Sequence, residues 1–417
     1  NGGMVAPWII DRTTNSFVGY DPTSTSGTGF QPLVSAAPGA GQLAYNQILS
    51  GATISGLGVN DIVDVTTAAK TFSANQTAYA LRTSQNINPT TSGLSLTLGS
   101  GGLIMTGGTI NATGAVTAGV IVPMTLNFGA AGVGEALIYN SGTAIIQAQI
   151  AAAQGLTKFG AGQLQIHSIN PGIGGPVTLH EGITYIRVPY SGTGSAVGQV
   201  LNGQDITVNG GTLNIQSTLA NAGGTASELA STPFAAQALL NSDIFIRGDA
   251  ALRNNAAAQY VRIQNLTIGN SAGSTAMNGN SSITLNLQSG IWVRGTTTLA
   301  QEAVINSTFD GFGQSTLAGQ VTGQDLVKFG NGTITMLNGS NNYAGGTTIW
   351  GSTNNTAVST VASAFRGTGT PFSMGDVQVQ PGGLLRIADN ANIASNAVYL
   401  RSDGYGLGGI GLAHNSA

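Results

Sequence analysis

The groups that could carry chemistry in this 417-residue chain are few enough to take in turn: 16 Asp and Glu, 3 His, 13 Lys and Arg, and no Cys. Cleaving a glycosidic bond takes two carboxylates placed across the sugar. The close acidic pair is Asp61 and Asp64, in Asp61-Ile62-Val63-Asp64. On a strand these two leave opposite faces and do not converge, so both read as solvated loop or strand-edge groups. His180-Glu181 has the makings of a general base, but between Leu179 and Gly182 it reads as a polar corner. His167 falls at an outward position just past a strand. No His pair has zinc-ligand spacing. No Ser sits in Gly-x-Ser-x-Gly with a partner, and the turn Gly99 to Gly102 lacks the Lys-Ser/Thr of a phosphate loop. Asp is too sparse for calcium-binding nonapeptides, which leaves isolated Asp249, Asp310 and Asp403 as metal candidates. The expectation is a chain with no catalytic residue, no cofactor and no metal. It is not read as an enzyme.

Lysine is rarer still, and its placement says more. The three are Lys70, Lys158 and Lys328. Lys158 lies in Leu156-Thr157-Lys158-Phe159-Gly160-Ala161-Gly162-Gln163-Leu164-Gln165-Ile166. Lys328 lies in the matching Leu326-Val327-Lys328-Phe329-Gly330-Asn331-Gly332-Thr333-Ile334-Thr335-Met336. Each segment reads as a strand, a Gly-x-Gly turn and an alternating strand with Leu164 and Ile166, or Ile334 and Met336, facing inward. A Gly pair follows each, Gly174-Gly175 or Gly345-Gly346. The two lysines either mark a partner site or, as the structural reading has it, snorkel over a neighbouring strand or hydrogen-bond carbonyls at a corner. Of Trp8, Trp292 and Trp350, the last follows a repeat strand at an exposed turn and is the candidate for ligand contact by stacking on sugars.

These motifs sit in a background of short strands. Ile206 to Ile215, Ile283 to Leu287 and Val377 to Leu384 alternate or run apolar over a few residues, punctuated by glycine, which rules out long helices. Ala144 to Ala153 and Ser227 to Leu240 have helix-forming composition and read as short excursions or Ala-rich strands. Gly numbers 63 and charged residues make up 7%, against roughly 25% in an ordinary soluble domain. Asn, Thr, Ser and Gln can hydrogen-bond in stacked rows where like charges would repel. A strand of three to five residues buries too little by itself, but stacking on its neighbours makes a continuous core. With on the order of 20 to 25 residues per coil, the chain would make roughly 17 to 20 coils. At about 4.8 Å per rung these would form a rod of roughly 80 to 95 Å. The Gly pairs are expected to supply positive φ at the corners. The fold expected is all-β, a right-handed parallel β-helix over 41–417 with short irregular loop or helical excursions. Residues 1–40 form an N-terminal segment, a cap or linker.

The paired segments resemble the autotransporter-associated β-strand repeat, also called the passenger-associated transport repeat, with its pattern Leu-x-Lys-x-Gly-x-Gly-Thr-Leu-x-Leu followed by Asn-x-Tyr-x-Gly-Gly-Thr-x-Val. Leu326, Lys328, Gly330, Gly332, Thr333, Ile334 and Met336, then Asn341, Tyr343, Gly345, Gly346, Thr347 and Ile349, follow it almost throughout. Leu156, Lys158, Gly160, Gly162, Leu164 and Ile166 follow it in the first copy, which has Gln163 for Thr, no Tyr, and a shorter link. The opening residues Gly2 to Ile10, with Phe17 to Asp21 and Phe30 to Leu33, resemble a stretch found between such repeats in very large bacterial secreted proteins. The resemblance implies a secreted β-helix at the outer surface of a Gram-negative-type bacterium, serving as adhesin, surface fibre or carrier. It covers about 60 residues clearly, and it implies no activity.

Charge bears on partners. A net charge of −3 with no basic run excludes a nucleic-acid groove. No stretch of 18 apolar residues marks a membrane span in this segment. Asn1 to Val5 lacks the basic start and apolar core of a leader, and the abrupt ends at Asn1 and Ala417 read as a piece of something longer. Little repulsion opposes association, so self-association with neighbouring copies is expected, with surface glycans as a second partner class. The reading is a non-catalytic extracellular structural or adhesive β-helix, a rod or self-assembling filament subunit. The alternative is a surface β-helix that binds or cleaves polysaccharide.

Overall fold

A computed structural model describes residues 4–22, 29–35, 42–49, 51–112, 123–187, 200–201, 203–216, 240, 242–254, 261–270, 282–288, 290–308, 315–351, 359–363, 371–373, 375–388, 393, 395–401 and 409–413. Among them the chain is all-β, with one 3-10 turn at Ala130–Gly132. Two compact units divide it: Asn1–Pro189 with Gln199–Gln204, and Tyr190–Gly198 with Asp205–Ala417.

In the first unit one parallel sheet runs through Ile62–Val65, Gln76–Thr83, Ser95–Met105, Ala136–Asn140, Leu156–Phe159 and Val177–Leu179. A branch leaves the first half of Ser95–Met105 through Thr125–Phe128, Gln149–Ala152 and Gly172–Ile173. The second parallel sheet holds Lys70–Phe72, Ile87–Pro89, Thr109–Ile110, Thr143–Ile146, Gln163–Ile166 and Ile183–Arg187. Ala144 to Ala153 therefore forms two Ala-rich strands and no helix; residues 227–239 lie outside the described set.

In the second unit three parallel sheets alternate along the chain. Ile244–Ile246, Ala250–Asn254 and Val261–Ile263 open a cycle. Leu266–Ile268, Ser282–Gln288 and Ile291–Val293 repeat it, and Thr297–Leu299, Glu302–Thr308 and Ser315–Leu317 repeat it again. Each strand pairs in parallel with its counterpart one cycle on. Cycle length varies more than the sequence suggested: hydrogen-bonded neighbours lie 18 residues apart at Asp64 and Arg82, and 35 apart at Asp249 and Thr284.

The alternation is the cause of this stacking. Strands such as Ile244–Ile246 and Leu266–Ile268 bury their first and third residues and leave the middle one half-exposed. Leu285, Ile305 and Ile349 are all fully buried in one inward row with Lys328 between them. Each aliphatic side chain so buried contributes about 1.5–3 kcal/mol, which a lone three-residue strand cannot collect. Outward, polar side chains bridge the rungs: Asn306 Nδ2 donates to Asn286 Oδ1 at 2.7 Å, and Asn127 Nδ2 to Thr97 Oγ1 at 3.1 Å.

The first three strands depart from the parallel pattern. Ile10–Asp11, Ser16–Tyr20 and Phe30–Pro32 form a three-stranded antiparallel sheet. Its Met4, Phe17 and Leu33 pack with Tyr45 onto Ile62, Ala80, Ile104 and Tyr139. Of these, Ile104 and Tyr139 lie in the row Asp64–Arg82–Ile104–Tyr139–Phe159, on the face of the first parallel sheet turned away from the inward row Leu103–Ile138–Lys158–Leu179. The small sheet therefore covers an outer face, and Ile62–Val65 is buried at all four positions.

Candidate functional site

The repeat corner is built from the strand inward. In Leu156–Phe159 the alternation turns Leu156 and Lys158 toward the interior. Register places Lys158 between Ile138 and Leu179, where an ammonium has no partner. The side chain bends to the turn that follows. Its Nζ donates to Gly160 O at 2.5 Å, Gly162 O at 3.0 Å and Glu181 O at 2.5 Å. Three N–H groups thus meet three carbonyls, and the residue is fully buried. Burial pulls its amine down to about 8, with the Glu181 carboxylate pulling the other way. Lys328 repeats the arrangement between Ile305 and Ile349, its Nζ donating to Phe329 O at 2.6 Å and Gly330 O at 2.9 Å. Burial pulls it further, to about 7. Both lysines are fully buried and their amines hold corner carbonyls. Lys70 is also fully buried, in Lys70–Phe72, but no Gly-x-Gly follows it, and its Nζ has no hydrogen-bond partner among the described residues.

Glycine is required at these corners, though not where expected. Gly160 and Gly330, two residues after each lysine, have φ of 89° and 81°. One member of each of the pairs Gly101-Gly102, Gly107-Gly108, Gly210-Gly211 and Gly382-Gly383 has positive φ, as expected, but neither member of Gly174-Gly175 or Gly345-Gly346 does, and for these two pairs the expectation is corrected. Close approach is their reason: a Cβ on Gly345 would overlap the Asp325 carboxylate, and one on Gly346 would lie 2.6 Å from Asp376 O.

The second half of the motif holds a buried asparagine in both copies, Asn341, which follows the pattern, and Asn170, which the pattern does not pick out. Asn341 is buried, accepts Val321 N at 2.8 Å through Oδ1, and donates Nδ2 to Asn338 O at 2.9 Å and Pro371 O at 2.7 Å. Asn170 does the same in the first copy: Oδ1 accepts Ile150 N at 2.7 Å, and Nδ2 donates to Ser168 O at 2.9 Å and Val200 O at 2.7 Å. The signal was present, since Asn170 and Asn341 stand at the same spacing before their Gly pairs, and a one-residue shortening of the preceding link hid it. Tyr343 is buried with its OH 2.6 Å from Thr347 Oγ1, and burial holds its phenol above the usual range. Leu156, Leu164, Leu326 and Ile334 are fully buried.

The acidic pair is not brought together as a site. Asp61 caps a turn, accepting Gly58 N at 2.8 Å and Asn46 Nδ2 at 2.9 Å. Asp64 is buried, which corrects the solvated reading. Arg82 binds it with two prongs, Nε to Oδ1 at 2.8 Å and Nη2 to Oδ2 at 2.9 Å, and Arg82 also reaches Ser16 Oγ and Ser35 Oγ and stacks over Tyr45 at 4.5 Å. His180 is exposed, while Glu181 is a corner group: its carboxylate accepts Gly160 N at 2.9 Å and pairs with Arg12. His167 Nε2 lies 2.9 Å from Gln165 Oε1, and burial, aided by Arg187, pulls the imidazole down to about 4. Asp249 accepts Thr284 N at 2.8 Å; Asp310 and Asp403 lie outside the described residues. Among the described residues no group of three or more His, Cys, Asp or Glu could hold a metal ion. No helix among the described residues is long and apolar enough to cross a membrane. Trp8 is 62% exposed and Trp350 43%; Trp292 lies under Arg262 at 5.5 Å.

The fold and corners define an all-β protein of long parallel sheets, assembled from repeated short strands. No protein-family model, curated protein or solved structure matches the chain.

Proposed function

We propose that the chain is a right-handed parallel β-helix of the autotransporter-associated β-strand repeat kind, working outside a Gram-negative-type cell as a non-catalytic rod, adhesin or filament subunit. The observation that carries this reading is the recurrence of one corner: two segments of matching sequence each bury a lysine between aliphatic neighbours and bind its amine to turn carbonyls. Such corners fix where the chain leaves one sheet for the next, which suits a structural column. Outward rows of Thr, Asn and Gln, nearly free of charge, support lateral contact between copies because little repulsion opposes it. Antibody labelling of intact cells tests location: signal on unbroken cells is expected, and signal only after lysis overturns the reading. Light scattering over rising concentration tests association, with growth in mass expected and a constant monomer mass refuting that part.

A further inference from the structure

The second unit carries an outward strip with two exposed aromatics, Trp350 and Tyr399. Register runs Val327, Thr348, Gln378, Tyr399 in one column. Two residues on in each strand, Phe329, Trp350, Gln380 and Arg401 form a second. The backbone bonds Trp350 N to Lys328 O, Gln380 N to Ile349 O and Arg401 N to Val379 O keep this second column in step. All eight are half-exposed or exposed, with Trp350 at 43% and Tyr399 at 47%; Tyr399 lies on Val398–Leu400, the end strand of its sheet among the described residues, where Leu400 on the opposite face is exposed as well.

We propose that this strip binds a linear, uncharged polysaccharide laid along the stack, deepening the scaffold reading above by giving it a ligand class. Three features select that ligand. The two exposed aromatics stand two rungs apart along the axis, about 9.6 Å, and two residues apart across it, about 6.6 Å, so about 12 Å on a diagonal, a span of about two sugar rings, and each can pack an apolar sugar face while keeping a polar edge wet. Gln378 and Gln380 lie on the rung between, their amides able to donate to and accept from hydroxyls. No carboxylate and a single cation, Arg401, occupy the eight positions, so a polyanion finds only one matching charge. Size argues against a protein partner: three rung steps by two columns cover on the order of 200 Å², against about 800 Å² per partner in a stable protein interface.

The test is calorimetric titration of the 417-residue chain with cellohexaose, xylohexaose and N-acetylchitohexaose, with hexagalacturonate as charged control. At least one neutral hexaose is expected to bind. Trp350→Ala and Tyr399→Ala should each weaken it at least about tenfold, the usual effect of truncating a central aromatic anchor. Gln378→Ala with Gln380→Ala, which removes amides and no aromatic surface, should weaken it with circular dichroism unchanged. Thr267→Ala, on another outward row, should leave it intact. Failure of all three neutral sugars to bind up to their solubility, unchanged affinity in the aromatic variants, or tighter binding of hexagalacturonate overturns the proposal. So does sedimentation showing paired copies that Trp350→Ala separates. Cell-surface labelling tests the scaffold reading separately, so either can fail alone.

Discussion

Raising the pH should stabilise the second unit, and Lys328→Met should abolish that response. Burial holds the Lys328 amine near 7, against 10.5 for a free lysine. Between those values the unfolded chain binds a proton that the folded chain does not, so folding free energy becomes more favourable as pH rises from about 7 to about 10.5. Below that window both states are charged and the burial cost is present in full; above it both are neutral and the cost is gone. The gap corresponds to on the order of 5 kcal/mol at most, because the acceptors Phe329 O and Gly330 O favour the ammonium and work against burial. Denaturant midpoints from pH 6 to 10, followed by hydrogen exchange of Leu326–Phe329 and Thr347–Ile349, report this unit directly. The Met variant should show a flat profile. A wild-type midpoint that falls with pH, or a slope that survives Lys328→Met, would refute the reasoning.

Other consequences are independent of that lysine. Asp64→Asn leaves Arg82 buried without its counter-charge and should cost about 3–5 kcal/mol, seen as faster proteolysis within residues 4–35. Gly160→Ala must hold φ at 89° and press on Asn140 O, so a loss of more than about 1–2 kcal/mol is expected by thermal melting, while Ala161→Ser next to it should be neutral. Asn170→Ala orphans Ile150 N, Ser168 O and Val200 O, and should cost at least about 1–3 kcal/mol. Asn341→Ala should cost a similar amount.

Much of this arrangement is legible in the residues because it is local. Alternation in Ile283 to Leu287 announces which side chains face inward, and Lys-x-Gly-x-Gly announces the corner, since a lysine on an inward position needs acceptors within its own reach. What the strand period cannot announce is what covers an outward face. Asp64 and Arg82 stand on the outer row of their sheet and would be solvated in an isolated stack; they are buried because Ser16 and Ser35, 66 and 47 residues from Arg82, bring the antiparallel sheet over them. Positive φ accounts for a glycine in pairs such as Gly101-Gly102 and Gly382-Gly383, but backbone crowding requires glycine equally well, as at Gly346, where a Cβ would lie 2.6 Å from Asp376 O. Ala144 to Ala153 illustrates a third limit. Alanine favours helix by propensity, yet a small side chain also fits a crowded inner row, and the stack decides.

The parallel, in-register stacking of short strands can be measured across the second unit without crystals. The chain has no cysteine, so pairs of introduced cysteines carry spin labels cleanly. Thr284, Val304, Val327, Thr348, Gln378 and Tyr399 occupy successive rungs of one outward column. Labels at Thr284 and Thr348 should lie about 14 Å apart in backbone terms, at Thr284 and Gln378 about 19 Å, and at Thr284 and Tyr399 about 24 Å, adding one rung spacing each time. Distances that scatter or fail to grow rung by rung would mean that the strands do not stack as described.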